Sequence, residues 1–220
     1  MELFNQIDGY CERTDFTYWS EPLNAVTNLS FIIAALILWP RVRGILGAQV
    51  LVAILFVIGV GSYLFHTHAT VWAAMADTIP IGLFILAYLF LVNLHIMRWP
   101  LWAATLGTLA FLPYATAVTS AIMHMPVSFL KISSFYWSVP LLLVIYASFQ
   151  KVKAAGVSRG FLIGAGLLAL SLTFRSLDET LCSALPIGTH FMWHLLNGVM
   201  LGWMIVVYRS HMLASAPQGR

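Results

Sequence analysis

Five polar side chains, in three separate stretches of this sequence, are of the types that work together in hydrolytic metal sites. They are Ser62, His66, Asp77, His190 and His194. His190 and His194 stand four residues apart, as do Ser62 and His66, so each pair lies on one face of a helix. Asp77 is the only acidic residue in the long stretch 22–177. Ionisable side chains are rare within apolar segments and usually mark a functional site there.

Zinc is the metal that these residue types favour. A catalytic zinc commonly has three protein ligands and a fourth position for water. His190 and His194 can bind one ion from a single helix, and His66 would complete the set. Asp77 could orient or deprotonate the water and protonate the leaving group, and Ser62 could hydrogen-bond an oxyanion or a ligand. The alternative, in which the histidines only bond to neighbours or line a wet cavity, is the weaker interpretation for all five together.

The rest of the chain consists of the apolar segments that must position these groups. Of the 220 residues, 60% are hydrophobic and 9% are charged, and the mean hydropathy is +0.88. Several stretches approach the roughly 20 residues that span a bilayer, and they lack the alternation of barrel strands. We predict an all-α integral membrane protein, a bundle of seven transmembrane helices. The predicted spans are 22–40, 45–65, 74–95, 99–121, 128–149, 160–181 and 188–208.

The basic residues predict the orientation of the bundle. Eight of the eleven Lys and Arg residues follow spans one, three, five and seven: Arg41, Arg43, Arg98, Lys151, Lys153, Arg159, Arg209 and Arg220. The positive-inside rule makes that side cytoplasmic. The acidic N-terminal segment 1–21 is then outside, 22–208 is the membrane domain, and 209–220 is a short cytoplasmic tail. The five polar side chains would meet at one depth, toward the extracytoplasmic side.

Charge and composition also argue against several classes of partner. The net charge of +3 comes from bases scattered through short loops, so we expect no nucleic-acid partner. No obligatory protein partner is evident, and the termini and loops are too short for an evident signalling domain. We expect a multi-pass protein whose surroundings are the lipid bilayer: a plasma membrane, or an inner membrane in a bacterium.

These motifs resemble the alkaline ceramidases, part of a seven-transmembrane hydrolase superfamily that also includes adiponectin-receptor-like proteins. S-x-x-x-H on span two, the Asp that follows, and H-x-x-x-H on span seven carry the resemblance, and YCERTDFTYWSEPLNAVTN at 10–28 extends it. It implies an enzyme that hydrolyses the amide of ceramide, a membrane lipid, to a sphingoid base and a fatty acid. It also implies zinc on His66, His190 and His194, with Ser62 and Asp77 assisting catalysis.

The resemblance further implies calcium in the N-terminal segment. Asp8, Glu12 and Glu21 are the matching carboxylates, with Asp15 or Asn24 as additional candidates. Oxygen ligands in a loop suit Ca²⁺. A solvated acidic segment without a metal ion is the alternative.

The two cysteines also acquire a role from the resemblance, which implies a Cys11–Cys182 disulfide between the N-terminal segment and the end of span six. The predicted outer side is an oxidising compartment, where such a bond persists. Nearby, Arg175 and Asp178 stand three residues apart, and we expect a structural ion pair between them. The alternative for this pair is contact with a substrate headgroup.

Three other functions stay open beside the lipid amidase. A receptor or signalling protein of the same superfamily would use zinc as a structural element. An esterase or phospholipase would use the same site on another lipid bond. A bis-histidine haem protein would need histidines on facing helices at porphyrin spacing, and two histidines one turn apart fit a single metal ion better.

Overall fold

A computed structural model of the chain describes residues 2–150 and 154–215. That part of the chain contains eight helices and no strand. In chain order the helices are α1 (Pro22–Val42), α2 (Leu46–His68), α3 (Val71–Ile96), α4 (Leu101–Met123), α5 (Ser128–Ile132), α6 (Ser138–Gln150), α7 (Ala155–Leu181) and α8 (His190–Ser215). Lys151, Lys153 and Arg220, which contributed to the predicted orientation, lie outside the described residues.

Six of the predicted spans correspond to helices long and apolar enough to cross a bilayer, namely α1 to α4, α7 and α8. The predicted span 128–149 is instead divided into the short helices α5 and α6, separated by residues 133–137. The 13 residues of α6 extend about 20 Å, less than the roughly 30 Å of a hydrocarbon core. α8 also continues beyond the predicted end at 208, so the predicted tail begins within a helix.

The break after α5 has a chemical cause in a neighbouring helix. Arg175 of α7 donates hydrogen bonds to the Ile132 carbonyl, 3.1 Å away, and to the Ser133 hydroxyl, 2.9 Å away. Ser176 donates a further hydrogen bond to Ser133 at 3.0 Å. Non-helical backbone in an apolar setting needs such partners, because its carbonyls have lost their helical donors.

Small residues allow the helices to approach closely around the predicted site. α2 packs against α3, α7 packs against α8, and α1 lies against both α2 and α8. Gly61 lies against the Ala76 carbonyl, where a Cβ atom would clash, and Gly198 packs on Ser30 in the same way. Close backbone approach at small residues is typical of helix pairs in membranes. The Gly61 contact holds α2 and α3 together beside the predicted catalytic residues.

Large apolar side chains also cover the outside of the bundle. Leu46, Trp102 and Phe149 are 76%, 69% and 64% exposed. A surface of this kind is unfavourable in water but suits lipid. Together with the six long helices, it indicates a multi-pass membrane protein.

The N-terminal segment lies across one end of the bundle. Its Ile7 N–H donates to the Ala69 carbonyl at the end of α2, at 2.7 Å. A disulfide joins Cys11 to Cys182, directly after α7, as the resemblance implied. The segment is therefore held by backbone hydrogen bonds and by a covalent bond over the ends of α2, α7 and α8.

Candidate metal centre

His66, His190 and His194 converge at the end of the bundle covered by the N-terminal segment. His66 lies in the last turn of α2, His190 is the first residue of α8, and His194 follows one turn later. Their candidate ligand atoms all lie within 4.8 Å of one another. None of the three side chains is more than 1% exposed. The structure thus brings together the three histidines predicted as metal ligands.

Each of these rings has a buried nitrogen without a hydrogen-bond partner among the described residues. The atoms are Nε2 of His66, Nδ1 of His190 and Nε2 of His194. Buried polar atoms are rarely left unpaired, because an unmade hydrogen bond is destabilising. Three neutral imidazoles with free lone pairs are a donor set that binds zinc well. The site can therefore hold a metal ion, and its chemistry fits zinc.

The other nitrogen, Nδ1, of His66 and of His194 is hydrogen-bonded to a protein group. These hydrogen bonds determine that Nε2 of each ring faces the cluster. His66 Nδ1 lies 2.6 Å from a Glu21 carboxylate oxygen, which can only accept, so Nδ1 carries the proton. His194 Nδ1 lies 3.0 Å from the Thr27 hydroxyl, which donates its own hydrogen to the Leu23 carbonyl. Nδ1 of His194 is therefore also the donor. Both rings keep their Nε2 lone pair for a metal.

Tyr10 covers the third histidine. Its ring stacks on His190 with the centroids 3.7 Å apart and the planes 20° from parallel. Burial raises the pKa of Tyr10 to about 12, so its hydroxyl stays protonated at neutral pH. Sequence reasoning did not single out Tyr10, because its contact with His190 depends on the path of the N-terminal segment.

Ser62 and Asp77 lie beside the histidines. Ser62 is buried one turn before His66 on α2, and Asp77 on α3 faces both residues. The Asp77 Oδ1 atom is buried and has no hydrogen-bond partner within the described part of the chain. The structure therefore places a carboxylate with an unused acceptor next to the candidate metal ligands.

A polar cavity of about 190 Å³ opens beside Asp77. Tyr10, Thr78, Tyr136 and Arg175 also line it, and Trp193 forms part of its wall. A water molecule occupies about 30 Å³ in the liquid, so the space is large enough for a few waters or for a small polar group such as an amide.

An apolar cavity adjoins the polar one. The two share Ile81, Tyr136 and Trp193, and the apolar cavity extends among side chains such as Phe31 of α1 and Leu168 of α7. It lies between the helices and is lined almost entirely by carbon atoms. Its volume is about 90 Å³, so it can hold a short apolar group whose polar end lies beside Asp77.

Asp178 does not form the predicted ion pair with Arg175. Its carboxylate instead accepts hydrogen bonds from three backbone N–H groups, those of Cys11 at 3.0 Å, Thr189 at 2.6 Å and His190 at 2.8 Å. N–H groups in the first turn of a helix lack intrahelical partners, and an acidic side chain stabilises them. Asp178 therefore fixes the start of α8, and with it the first histidine of the H-x-x-x-H pair.

Arg175 is directed toward the polar cavity. Its guanidinium lies 5.6 Å from the ring centroids of both Tyr136 and Trp193, and it is anchored by the hydrogen bond to Ser133. Cation–π contacts on two sides hold a planar cation in a fixed orientation. With Asp178 occupied elsewhere, Arg175 is free to bind a polar group in the cavity.

The predicted calcium ligands do not converge. Across residues 2–150 and 154–215, no three carboxylates approach one another as the three histidines do. Glu12 accepts hydrogen bonds from the backbone N–H groups of Leu23 at 2.7 Å and Asn24 at 2.8 Å, so it caps α1. Asp8 is exposed. The positions of these two carboxylates therefore give no support to the predicted calcium site.

Glu21 is engaged by three donors at once. Arg13 Nε lies 2.5 Å from one carboxylate oxygen, and the other oxygen accepts from His66 Nδ1 and, at 3.1 Å, from Asn24. Burial alone would raise the pKa of Glu21, but the hydrogen bonds from His66 and Asn24 and the charge of Arg13 hold it below its ordinary value. Glu21 is therefore a carboxylate that orients a candidate metal ligand, and both of its oxygens are already engaged by protein donors.

Comparison with known proteins adds one match. The family model described as Ceramidase matches residues 7–218, nearly the whole chain. The match includes all eight helices and most of the N-terminal segment, so every element that forms the histidine cluster lies within it. No curated protein sequence matches this chain.

Proposed function

The chain belongs to the ceramidase family, and we propose that it is a zinc-dependent amidase that hydrolyses ceramide within the membrane. The products would be a sphingoid base and a fatty acid. The observation that carries this proposal is the convergence of three buried histidines, each with an unpaired nitrogen, beside a cavity lined by Asp77, whose Oδ1 atom is buried and unpaired among the described residues.

His66, His190 and His194 would hold the zinc ion. When bound there, zinc supplies Lewis-acid chemistry, activating a water molecule and polarising the amide carbonyl. Glu21 and Thr27 accept hydrogen bonds from the Nδ1–H groups of His66 and His194, which keeps those two rings oriented.

Asp77 would carry the proton during hydrolysis. Its carboxylate accepts a proton from the attacking water as the water oxygen forms a bond to the amide carbon. The C–N bond then breaks, and the same proton passes to the departing nitrogen, which leaves as the amine of the sphingoid base. The carbon becomes the carboxyl group of the fatty acid. Ser62 would donate a hydrogen bond to the oxygen on which negative charge develops.

The two adjoining cavities support a lipid substrate. A hydrocarbon chain would lie in the apolar cavity after entering laterally between helices, since the bilayer is its solvent. The Arg175 guanidinium and the Tyr10 hydroxyl would hydrogen-bond the polar headgroup in the cavity beside Asp77. Both groups donate hydrogen bonds, which suits the hydroxyl and carbonyl oxygens of ceramide.

We assign the site to the extracytoplasmic side of the membrane. The Cys11–Cys182 disulfide lies at the same end of the bundle as the histidine cluster, and disulfides persist in oxidising compartments. The distribution of basic residues supports the same orientation.

Metal analysis combined with lipid hydrolysis tests the proposed function. We expect the purified protein to contain stoichiometric zinc and to hydrolyse ceramide, and His194→Ala to lose both. His124→Ala is the matched control, because His124 is an exposed histidine outside the cluster. Full zinc content and full ceramide hydrolysis in His194→Ala would contradict the proposal. Turnover of an ester or phospholipid in place of ceramide would contradict the proposed substrate.

A further inference from the structure

We infer that the guanidinium of Arg13 takes the structural place of a calcium ion in the N-terminal segment, so that neither folding nor metal binding at the histidine cluster requires calcium. Arg13 is then a positioning residue, acting on His66 through Glu21. The consequences for activity and for zinc binding rest on the proposed function, whereas the consequence for folding does not.

The surroundings of Arg13 are those of a bound cation. The side chain is 6% exposed, although it carries a permanent charge. Its Nε donates to the Glu21 carboxylate, Nη1 donates to the Asp15 carbonyl at 2.9 Å, and Nη2 donates to the His66 carbonyl at 3.0 Å. A carboxylate and two backbone carbonyls are also typical oxygen ligands of Ca²⁺. In this chain, those oxygens converge on a guanidinium.

The same contacts leave little for a calcium ion to bind. Ca²⁺ takes six to eight oxygen ligands. Both carboxylate oxygens of Glu21 already have donors, and both oxygens of Glu12 accept backbone hydrogen bonds. The buried Oδ1 of Asn24 has no hydrogen-bond partner among the described residues, but one such oxygen is far short of the number that calcium takes. A divalent ion at this position would also be repelled by the charge of Arg13 at short range. The residues present therefore do not fit calcium.

The contacts of Arg13 extend to the candidate metal centre. Arg13 holds one oxygen of Glu21, and the other oxygen accepts the Nδ1 proton of His66. Arg13 also binds the backbone carbonyl of His66 itself. Partners that orient a metal-ligating histidine in this way typically contribute 10–100-fold to metal affinity. Removing Arg13 should therefore weaken zinc binding although Arg13 touches no metal.

The first test is calcium titration of the zinc-loaded wild-type protein after dialysis into calcium-free buffer. We expect no heat of binding by calorimetry and no change in Tm up to millimolar calcium, where weak extracellular calcium modules are saturated. Stoichiometric calcium binding accompanied by a rise in Tm would overturn the inference. Neither readout uses ceramide turnover, so this result is independent of the proposed function.

The second test compares zinc affinities of folded variants. We expect Arg13→Gln to bind zinc about 10–100-fold more weakly than the wild type, and Arg13→Lys, which retains the charge, to recover part of the loss. Arg43→Gln, at an exposed arginine, is the control. A lower Tm with unchanged zinc affinity in Arg13→Gln would show a merely structural role and overturn the positioning claim. If Arg13→Gln does not fold, Arg13→Lys against the wild type provides the same comparison.

Discussion

The backbone N–H of His190 donates a hydrogen bond to the carboxylate of Asp178, 2.8 Å away. The same carboxylate oxygen accepts the N–H of Thr189 at 2.6 Å, while the other oxygen accepts the N–H of Cys11. One side chain on α7 therefore sets both the start of α8 and the position of the disulfide-linked segment. The location of a candidate metal ligand is coupled in this way to a residue that touches no metal.

Asp178→Ala should lower both Tm and zinc content. Loss of a helix cap typically costs about 0.5–2 kcal/mol, and the loss is at the upper end of this range where the N–H groups left unpaired are buried. Thermal unfolding and metal analysis measure the two effects. Glu179→Ala is the control, because Glu179 is next to Asp178 in the sequence and its exposed carboxylate caps no helix among the described residues. Equal Tm values for the two variants would contradict this role of Asp178.

Glu21→Gln should weaken zinc binding about 10–100-fold, since the amide is a poorer acceptor for the Nδ1 proton of His66 and loses the ion pair with Arg13. Competition with a fluorescent zinc chelator measures the dissociation constant. Asp8→Asn removes an exposed carboxylate from the same segment and should leave the constant unchanged. If both substitutions weakened zinc binding equally, the segment's total charge would be responsible in place of the Glu21–His66 contact.

Asp77→Asn should retain zinc and lose activity. General acid–base catalysis typically contributes about 10²–10⁴-fold, so kcat should fall within that range. Ser62→Ala should have the smaller effect if the metal shares stabilisation of the oxyanion. Steady-state ceramide hydrolysis and metal analysis of the same preparation separate chemistry from metal loss. An Asp77→Asn enzyme with wild-type kcat would exclude Asp77 as the proton carrier.

Arg175→Met should impair binding of the substrate headgroup while preserving the apolar packing of the side chain. A hydrogen bond to a charged group contributes about 1.5–3 kcal/mol, which corresponds to roughly 10–150-fold in kcat/KM. For ceramide, we expect the substitution to raise KM more than it lowers kcat. For an N-acyl alkylamine that lacks the headgroup hydroxyls, we expect little change in either constant. An equal loss on both substrates would show that Arg175 acts on the fold, for example through Ser133.

The histidine cluster was predictable because ionisable side chains are rare in apolar segments and helical periodicity assigns them to faces. The division of the span 128–149 into two short helices could not be predicted, because the hydropathy of an apolar stretch is the same whether or not the stretch is helical throughout. The donors that stabilise that break belong to Arg175 and Ser176, more than 40 residues away in sequence.

The Arg175–Asp178 ion pair was a wrong prediction for a related reason. The i to i+3 rule considers only the helix surface, and the N–H groups that engage Asp178 are brought there by the tertiary fold. The ion pair between Arg13 and Glu21 could have been predicted from the sequence, since Arg13 is the only basic residue in the first 40 positions. A single base among several acids is a candidate internal counter-ion.

The Cys11–Cys182 bond has a consequence for biogenesis. Its partners are separated by 171 residues, so the bond closes a covalent ring around most of the bundle. Cys182 follows α7, and it can meet Cys11 only after nearly the whole chain has been synthesised and its preceding helices inserted. Oxidation is therefore a late event, and the bonded form marks chains in which the helices up to α7 have been inserted.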